Sequence, residues 1–282
     1  MSETLVSVAE LAAHLGDSSW RVFDCRHDLA NVEYGTQAYA RGHIPGALFL
    51  HIDRDLSGAK TGRNGRHPLP DAGGFAATLS RCAVDANIQV VAYDNEGGIF
   101  ASRLWWMLRW LGHKRVALLD GGLAAWKRAR LPLQLEVPAV QPSEFRATLA
   151  DPPIDVQEVL ANLQTKRMQL IDARAPERYR GESEALDPVA GHIPGALNRF
   201  YADNLDDDEA YFKPASQLAA DFATLLSGRD PHSVVHVCGS GVSACHNLLA
   251  MEIAGLSGSR LYPGSWSEWC ADPGRPVAVG DR

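Results

Sequence analysis

The hexapeptide Gly42-His43-Ile44-Pro45-Gly46-Ala47 returns 149 positions later as Gly191-His192-Ile193-Pro194-Gly195-Ala196, and this repeat decides the fold. Each copy has the composition of a tight turn, because proline fixes φ and glycine supplies angles that other residues avoid. Upstream of the two copies, Val22-Phe23-Asp24-Cys25-Arg26 matches Leu170-Ile171-Asp172-Ala173-Arg174. Landmarks that recur in the same order at nearly the same offset predict two homologous domains in one chain.

Composition narrows the class of protein. A length of 282 residues favours two domains over one core, and 46% hydrophobic with 22% charged residues is ordinary for a globular protein. The net charge of −7 offers no basic surface for nucleic acid or an anionic membrane, and neither a signal peptide nor a membrane span is expected. Five scattered cysteines predict reduced thiols in the cytoplasm. Cysteines and histidines lack zinc-ligand spacing, so no metal or cofactor is expected.

Short apolar segments alternate with amphipathic ones in both halves of the chain, which predicts an α/β fold with a mostly parallel sheet and helices on both faces of each domain. A proline-punctuated stretch divides the halves, so we place the N-terminal domain at 1–132, a linker at 133–152 and the C-terminal domain at 153–282. The predicted strands are Arg21–Cys25, Val90–Tyr93, Val116–Leu119, Gln169–Asp172 and Val234–Val237. The predicted helices include Val8–Leu15, Gly74–Cys82, Phe100–Leu111, Gln157–Thr165 and Ala215–Leu226.

The loop Cys238-Gly239-Ser240-Gly241-Val242-Ser243-Ala244 carries the strongest chemical signal, because it joins a buried strand to a predicted helix. Main-chain N–H groups in such a loop can converge on the sulfur, and the helix dipole adds partial positive charge. Both favour the thiolate, which is the nucleophilic form of cysteine. The alternative is a buried core cysteine, but two glycines around a serine permit close backbone approach where a core position would need bulk.

The first half carries a different residue at this position. Aligning the strand Val90–Tyr93 with Val234–Val237 places Asp94 opposite Cys238. A carboxylate cannot perform the chemistry of a thiolate, so we expect one active C-terminal domain and a catalytically inactive N-terminal one.

These features together resemble the two-domain rhodanese-type sulfurtransferases over nearly the whole chain. The resemblance also rests on the match of Asp120-Gly121-Gly122 with Pro263-Gly264-Ser265-Trp266. It implies tandem rhodanese-like domains and a ping-pong reaction. In that reaction Cys238 takes a sulfane sulfur from a small-molecule donor, holds it as a persulfide, and passes it to cyanide, a small thiol or thioredoxin. A non-catalytic sulfur-binding module is the alternative, but such modules are expected to lose the cysteine.

The resemblance also bears on the donor. Members that use 3-mercaptopyruvate carry the sequence found here at Cys238–Val242, whereas those that use thiosulfate place basic side chains in this loop. We therefore expect 3-mercaptopyruvate, with thiosulfate as the alternative. In the former group the serine, here Ser240, helps to deprotonate the donor thiol with support from a histidine and an acid. His43 matches the histidine by its place in the first hexapeptide, unless it is a turn histidine bonded to backbone. Asp28 and Glu33 are both candidates for the acid.

Two arginines hold the donor's carboxylate in the family. Arg178 matches the first, but the second falls in Glu182-Ser183-Glu184-Ala185-Leu186-Asp187, where this chain has no arginine. Arg180, Arg66 and Arg199 are the candidates to replace it. Cys245 is either a packed helix residue or a partner that resolves the persulfide. The other predicted substrate-binding residues are Gly239, Gly241, Val242, Ser243 and Trp266, the last as a pocket wall or as an anchoring aromatic side chain.

A phosphatase on a related fold is excluded by its own motif. That chemistry needs arginine six positions after the cysteine, so that a guanidinium and loop amides can cradle phosphate, and this chain has Ala244 there.

Overall fold

The computed structural model describes residues 4–206 and 211–281. Its contacts divide the chain into two compact units. The first comprises Met1–Gly58, Leu69–Pro152 and Asp207–Phe212, and the second comprises Ala59–Pro68, Pro153–Asp206 and Lys213–Arg282. The segment 59–68 therefore packs with the C-terminal half of the chain, although it lies early in the sequence. The expected linker, 133–152, packs with the first unit.

The first unit is built on a five-stranded sheet in the order β1-β5-β4-β2-β3, with every strand pair parallel. Its strands are β1 (Leu5–Val6), β2 (Trp20–Asp24), β3 (Leu48–Phe49), β4 (Gln89–Tyr93) and β5 (Val116–Leu119). Its helices are α1 (Val8–Ala13), α2 (Tyr34–Arg41), α3 (Ala72–Arg81), α4 (Ala101–Trp110) and α5 (Gly122–Arg128). The central strand β4 is almost wholly buried, as expected of a parallel sheet covered on both faces.

The second unit repeats this plan with a four-stranded parallel sheet in the order β7-β6-β8-β9. Its strands are β6 (Gln169–Asp172), β7 (Leu197–Asn198), β8 (Val234–Val237) and β9 (Arg260–Leu261). Its helices are α6 (Val156–Thr165), α7 (Pro176–Arg180), α8 (Ala215–Leu226), α9 (Ser243–Ile253) and α10 (Ser265–Trp269), with 3-10 turns at Tyr201–Asn204 and Pro231–Ser233.

The predicted α/β class and the parallel sheets are confirmed. The five predicted strands begin and end within one residue of their predicted bounds, and the named helices within two. The sequence predicts helix ends less closely than strand ends because capping, rather than hydrophobic periodicity, sets them. Asp155 illustrates this, since its side chain accepts from the Glu158 amide in a capping box and fixes the start of α6.

The repeated motifs hold equivalent positions in the two units. Asp24 binds Arg26 in the first unit as Asp172 binds Arg174 in the second, through buried pairs of 2.6 and 2.7 Å. Each arginine also donates to the carbonyl of the glycine that opens its hexapeptide, Gly42 or Gly191. These pairs tie the end of a central strand to the following turn. Within the described parts of the chain, none of the helices combines the length and apolar character that crossing a membrane requires.

Candidate active site

Cys238 lies at the carboxyl end of β8, where a ligand of a parallel α/β sheet is expected. Its side chain is buried, and its Sγ accepts N–H bonds from Gly241 at 3.1 Å and from Ser240 at 3.5 Å. The helix α9 begins at Ser243, so its N-terminal dipole also points at this loop. Two main-chain N–H groups and a helix N-terminus thus converge on the sulfur of this loop.

Glycine is required at position 241 to form this loop. Gly241 has a φ of +77°, and a Cβ there would lie 2.3 Å from the carbonyl oxygen of Pro263. Opposite it, the buried Ser265 holds the strand end, since its Oγ accepts the Cys238 N–H at 3.1 Å and donates to the Tyr262 carbonyl at 2.9 Å. Ser265 itself has a φ of +53°, an unusual angle outside glycine that the surrounding hydrogen bonds hold in place.

Ser240 pairs with a histidine from the segment 59–68. The Nδ1 of His67 lies 2.7 Å from the Ser240 Oγ, and both residues are buried. The chain beside His67 is fixed on the second unit by the Arg66 N–H, which donates to the Ser267 Oγ at 3.0 Å. The residue two positions after Cys238 therefore carries a hydroxyl that is hydrogen-bonded to a histidine. This arrangement is suited to proton transfer.

His43, which the resemblance put in this role, is held elsewhere. It is buried in the first unit, with its Nδ1 3.0 Å from the Tyr39 carbonyl and its Nε2 3.2 Å from that of Glu136. His192 in the second hexapeptide makes the same kind of bond to Tyr179, so this histidine belongs to the repeated turn. The hydrogen bond to Ser240 comes from His67 instead. The alternative interpretation of His43 as a turn histidine describes these contacts.

Asp28 and Glu33, the two candidates for the acid that supports the histidine, make other contacts in the structure. The side chain of Asp28 caps its own loop by accepting from the Ala30 N–H at 2.7 Å. Glu33 faces Arg54 at 3.8 Å on the surface.

Two arginines lie over the residue that follows Cys238. A Cβ on Gly239 would be 2.7 Å from an Arg66 terminal nitrogen and 3.5 and 3.6 Å from those of Arg178, so Gly239 leaves room for both guanidinium groups. The other two candidates make different contacts: Arg180 pairs with Glu182 at 2.8 Å, and Arg199 pairs with Asp221 at 3.1 Å.

Buried carboxylates fix these arginines. Glu184 accepts from Arg178 through both oxygens, at 2.8 and 2.9 Å, and lies 3.6 Å from Arg174. Burial acts to raise the pKa of Glu184, but the Arg178 hydrogen bond holds it below its usual value. Burial likewise acts to lower the pKa of Arg174, but Asp172 holds it above its usual value. Glu184 and Arg174 are therefore both ionised at neutral pH.

The remaining predicted residues frame the loop. Val242 is buried and immediately precedes α9, and Ser243 is the first residue of that helix. Trp266 is an anchor: it lies in the core of the second unit, donates through Nε1 to the Val189 carbonyl, and packs under the Arg174 guanidinium at 4.9 Å. Cys245 is buried in α9, where its Sγ donates to the Gly241 carbonyl at 3.3 Å, as a packed helix residue does.

Three other cysteines are poor nucleophiles. Burial raises the pKa of Cys82 and of Cys270 to about 11, and it raises the pKa of Cys25 well above its usual value. All three thiols stay protonated at neutral pH, so they do not compete with Cys238.

One cluster of possible metal ligands lies in the first unit and was not predicted. His27, His51 and Asp53 bring their ligand atoms within 4.8 Å of one another. However, the Nε2 of His51 lies 3.0 Å from the Val32 carbonyl, and its Nδ1 accepts the Asp53 N–H at 3.1 Å. Because both ring nitrogens of His51 are engaged, these residues form a hydrogen-bonded corner of the fold rather than an open ligand set.

Comparison with known proteins agrees with this geometry. The rhodanese-like domain family matches residues 7–129 and 155–272. The chain is 47% identical over 99% of both sequences to a Pseudomonas aeruginosa protein named "Probable 3-mercaptopyruvate sulfurtransferase". It is 34% identical to bovine thiosulfate sulfurtransferase over 88% of this chain and 84% of that one. Among solved structures, the 3-mercaptopyruvate sulfurtransferase SseA of Escherichia coli superposes with a TM-score of 0.81 at 32% identity, covering 93% of this chain and 98% of that one.

Proposed function

Because the chain belongs to the rhodanese-like family, as a member with two copies of the domain, we propose that it moves sulfur from 3-mercaptopyruvate through a persulfide on Cys238. The sulfurtransferase activity is that of its relatives, and the donor is the one named for the Pseudomonas aeruginosa relative, which is 47% identical over 99% of both sequences. The acceptor is a thiophilic small molecule or protein: cyanide, a small thiol or thioredoxin. The first unit, which carries Asp94 in place of the cysteine and excludes the segment 59–68, has no catalytic role.

The convergence of two main-chain N–H groups on the Cys238 sulfur carries this proposal. A thiolate and the persulfide that replaces it are both anions, and the same donors stabilise each of them without rearrangement. Within the loop itself, the residues that follow the sulfur, 239–244, all have neutral side chains. This environment suits the single carboxylate of a keto-acid better than a dianion.

The reaction follows from the groups at the site. The Cys238 thiolate attacks the sulfur of 3-mercaptopyruvate, an S–S bond forms, and the C–S bond breaks. The electron pair of that bond leaves on carbon as the enolate of pyruvate, which takes up the proton given up by the donor thiol. The acceptor's nucleophilic atom then attacks the outer sulfur, and Cys238 leaves as the thiolate with which the cycle began. Sulfur moves as a neutral atom, so no external oxidant or reductant is needed.

Ser240 and His67 supply the proton transfer in this scheme. The donor thiol must lose its proton before carbon can accept one. Ser240, whose N–H lies 3.5 Å from the Cys238 sulfur, brings to this loop a hydroxyl that is bonded to a histidine. With His67 at 2.7 Å, the hydroxyl can pass a proton to the imidazole as it takes one from the thiol. The Nε and Nη2 of Arg178 are bonded to Glu184, so Arg178 offers the donor's carboxylate its Nη1 group as a charged N–H donor.

The deciding experiment compares kcat/KM for 3-mercaptopyruvate and for thiosulfate with cyanide as the acceptor. We expect 3-mercaptopyruvate to be preferred by a factor of at least about 10, which corresponds to 1.4 kcal/mol in the transition state. Intact-protein mass spectrometry after donor exposure should show a gain of about 32 Da, the mass of one sulfur, on Cys238 as a persulfide. A preference for thiosulfate would make the protein a thiosulfate:cyanide sulfurtransferase. No added sulfur from either donor would reject the carrier mechanism itself.

The cysteines also support a location for this reaction. In the described residues the five cysteines form no disulfide with one another, which favours the reducing cytoplasm.

A further inference from the structure

The segment 182–187 raises the question of what holds the second end of the donor, because it contains three acids and no arginine. Two of the acids point inward: Glu184 and Asp187 have side chains only 3% exposed. Glu184 is engaged by Arg178 with both oxygens. Asp187 is a buried carboxylate that needs a cationic partner, since an unpaired buried charge is strongly unfavourable.

That partner comes from the segment 59–68. The Arg66 Nη1 donates to one oxygen of Asp187, and the Arg178 Nη2 lies 3.4 Å from the other. Arg66 is fixed from its backbone side as well, because its N–H donates to Ser267 and the next residue, His67, bonds to Ser240. The Asp187 carboxylate thus bridges the two guanidinium groups and sets their separation.

The nitrogens left over both face the Cys238 loop. Among residues 4–206 and 211–281, the Arg66 Nη2 and the Arg178 Nη1 have no hydrogen-bond acceptor. These are also the atoms nearest to a Cβ placed on Gly239, the Arg66 Nη2 at 2.7 Å and the Arg178 Nη1 at 3.5 Å. Both side chains are about a quarter exposed, so an anion that approaches from solvent can reach them. A pair of open N–H donors beside the nucleophile is a binding site for an oxyanion.

We propose that Arg66 is the second donor-binding arginine of this enzyme, and that Asp187 is the positioning residue that holds it over Gly239. The inference rests on the proposed function, since the ligand it assigns to the pair is the carboxylate of 3-mercaptopyruvate. An arginine from the segment 59–68 takes over the contact that the segment 182–187 cannot supply, and an acid in that segment holds it there.

Charge balance decides which anions suit this pair. Glu184 and Asp187 already neutralise Arg178 and Arg66, so the pair offers directed N–H donors with little excess positive charge. A carboxylate monoanion satisfies two such donors by geometry. A dianion such as thiosulfate would need uncompensated positive charge, which this site lacks.

The test measures kcat and KM for 3-mercaptopyruvate in single variants. Arg66→Met should raise KM by about 10- to 30-fold and change kcat less than about threefold, because it removes ground-state contacts to the donor. Arg66→Lys keeps the charge without the fork and should raise KM about fivefold. Arg63→Met is the matched control, since Arg63 is an exposed arginine of the same segment, and its KM should equal that of the wild type.

The positioning role of Asp187 has its own readout. Asp187→Asn should raise KM about fivefold by releasing Arg66, and Asp187→Glu should recover most of that loss because it restores the charged partner. The KM for the acceptor cyanide should stay constant in every variant, which separates a loss of donor binding from general damage to the site.

The outcomes are distinguishable. If the wild type gains no sulfur from 3-mercaptopyruvate, the proposed function fails. If the wild type gains it and Arg66→Met keeps a KM within twofold of wild type, only the role of Arg66 is rejected. Should Arg66→Met not fold by circular dichroism, Arg66→Lys and Asp187→Asn decide, and unchanged KM values in both reject the inference.

Discussion

The loops after β4 and β8 direct main-chain N–H groups at one side chain in the same place, a carboxylate in the first unit and a cysteine sulfur in the second. In the first unit the buried Asp94 carboxylate accepts four main-chain N–H bonds of 2.8 to 2.9 Å, from Glu96, Gly98, Phe100 and Ala101. In the second unit the Cys238 sulfur accepts two, and the longer is 3.5 Å. The first loop therefore gives the Asp94 carboxylate four N–H donors, whereas the second loop gives the Cys238 sulfur fewer.

This difference separates what the fold supplies from what the side chain supplies. A strand that ends in a tight turn before a helix presents several N–H groups to one point, whichever residue occupies it. A fully bonded carboxylate in that position stabilises the loop. Under the proposed function, a partly bonded thiolate keeps the capacity to take more donors when a second sulfur is added. The proposal therefore divides stability and catalysis between two copies of one structural device.

Replacing the Cys238 sulfur should have the largest effect on the difference between the two loops. Cys238→Ser should lower kcat/KM for sulfur transfer by at least about 10³-fold, because a hydroxyl forms no persulfide and no other group replaces it. Steady-state assays with cyanide, together with the mass of the protein after donor exposure, measure this. Cys82→Ser is the matched control and should keep wild-type activity. Transfer at the wild-type rate by Cys238→Ser would show that another group carries the sulfur.

Changing the anion of the first loop should cost stability instead. Burial raises the pKa of Asp94, while the N–H bonds from Ala101 and the other three donors act to lower it. Asp94→Asn keeps the size of the side chain but turns an NH₂ group toward two N–H donors. We expect the first unit to lose about 3 kcal/mol, the cost of several buried donors left unpaired. Urea unfolding followed by hydrogen exchange measures the loss.

Cys238→Ala supplies the contrast for that measurement. The Cys238 sulfur is a weak acceptor and takes N–H bonds of 3.1 and 3.5 Å, against four at Asp94, so its removal should cost less than about 1 kcal/mol. Equal losses in Asp94→Asn and Cys238→Ala would contradict the division of roles between the two loops.

The proton-transfer pair offers a smaller effect. Ser240→Ala and His67→Asn should each lower kcat/KM for 3-mercaptopyruvate by about 10²-fold, the lower range for a group that moves a proton in the transition state. Thiosulfate brings no thiol proton to remove, so its transfer should change much less in the same variants. The ratio of the two donors is the measurement, and an equal loss with both would assign Ser240 and His67 a structural role.

Much of this comparison could be predicted from sequence because its parts are local. An apolar run followed by glycines fixes the strand end and the loop at Cys238, and the alignment of β4 with β8 finds Asp94. His67 could not be found this way, since its partner Ser240 is 173 residues distant and nothing periodic marks the segment around it. The one available signal was the density of basic residues in 63–67, inside a stretch without helix or strand pattern.

His43 teaches the complementary lesson. Its place in a repeated motif made His43 a candidate for catalysis, but the repetition itself indicates a structural role. A residue that both units share serves the turn that both units contain, as His43 and His192 do on Tyr39 and Tyr179. Chemistry that occurs in one unit has to come from residues that differ between them. Arg66 meets that criterion, since its partner Asp187 lies where the resemblance implied an arginine.

The smallest expected effect concerns the strands that lead into the two loops, where Ala92 of β4 corresponds to His236 of β8. Burial lowers the pKa of His236 to about 3, so it stays neutral in the folded protein while the unfolded chain takes up a proton below pH 6.5. The second unit therefore has its full stability above pH 6.5 and should lose about 2 kcal/mol by pH 5. Hydrogen exchange of β8 amides at both pH values measures this. In His236→Leu the loss should shrink by about 2 kcal/mol, and an unchanged loss would place the acid sensitivity elsewhere.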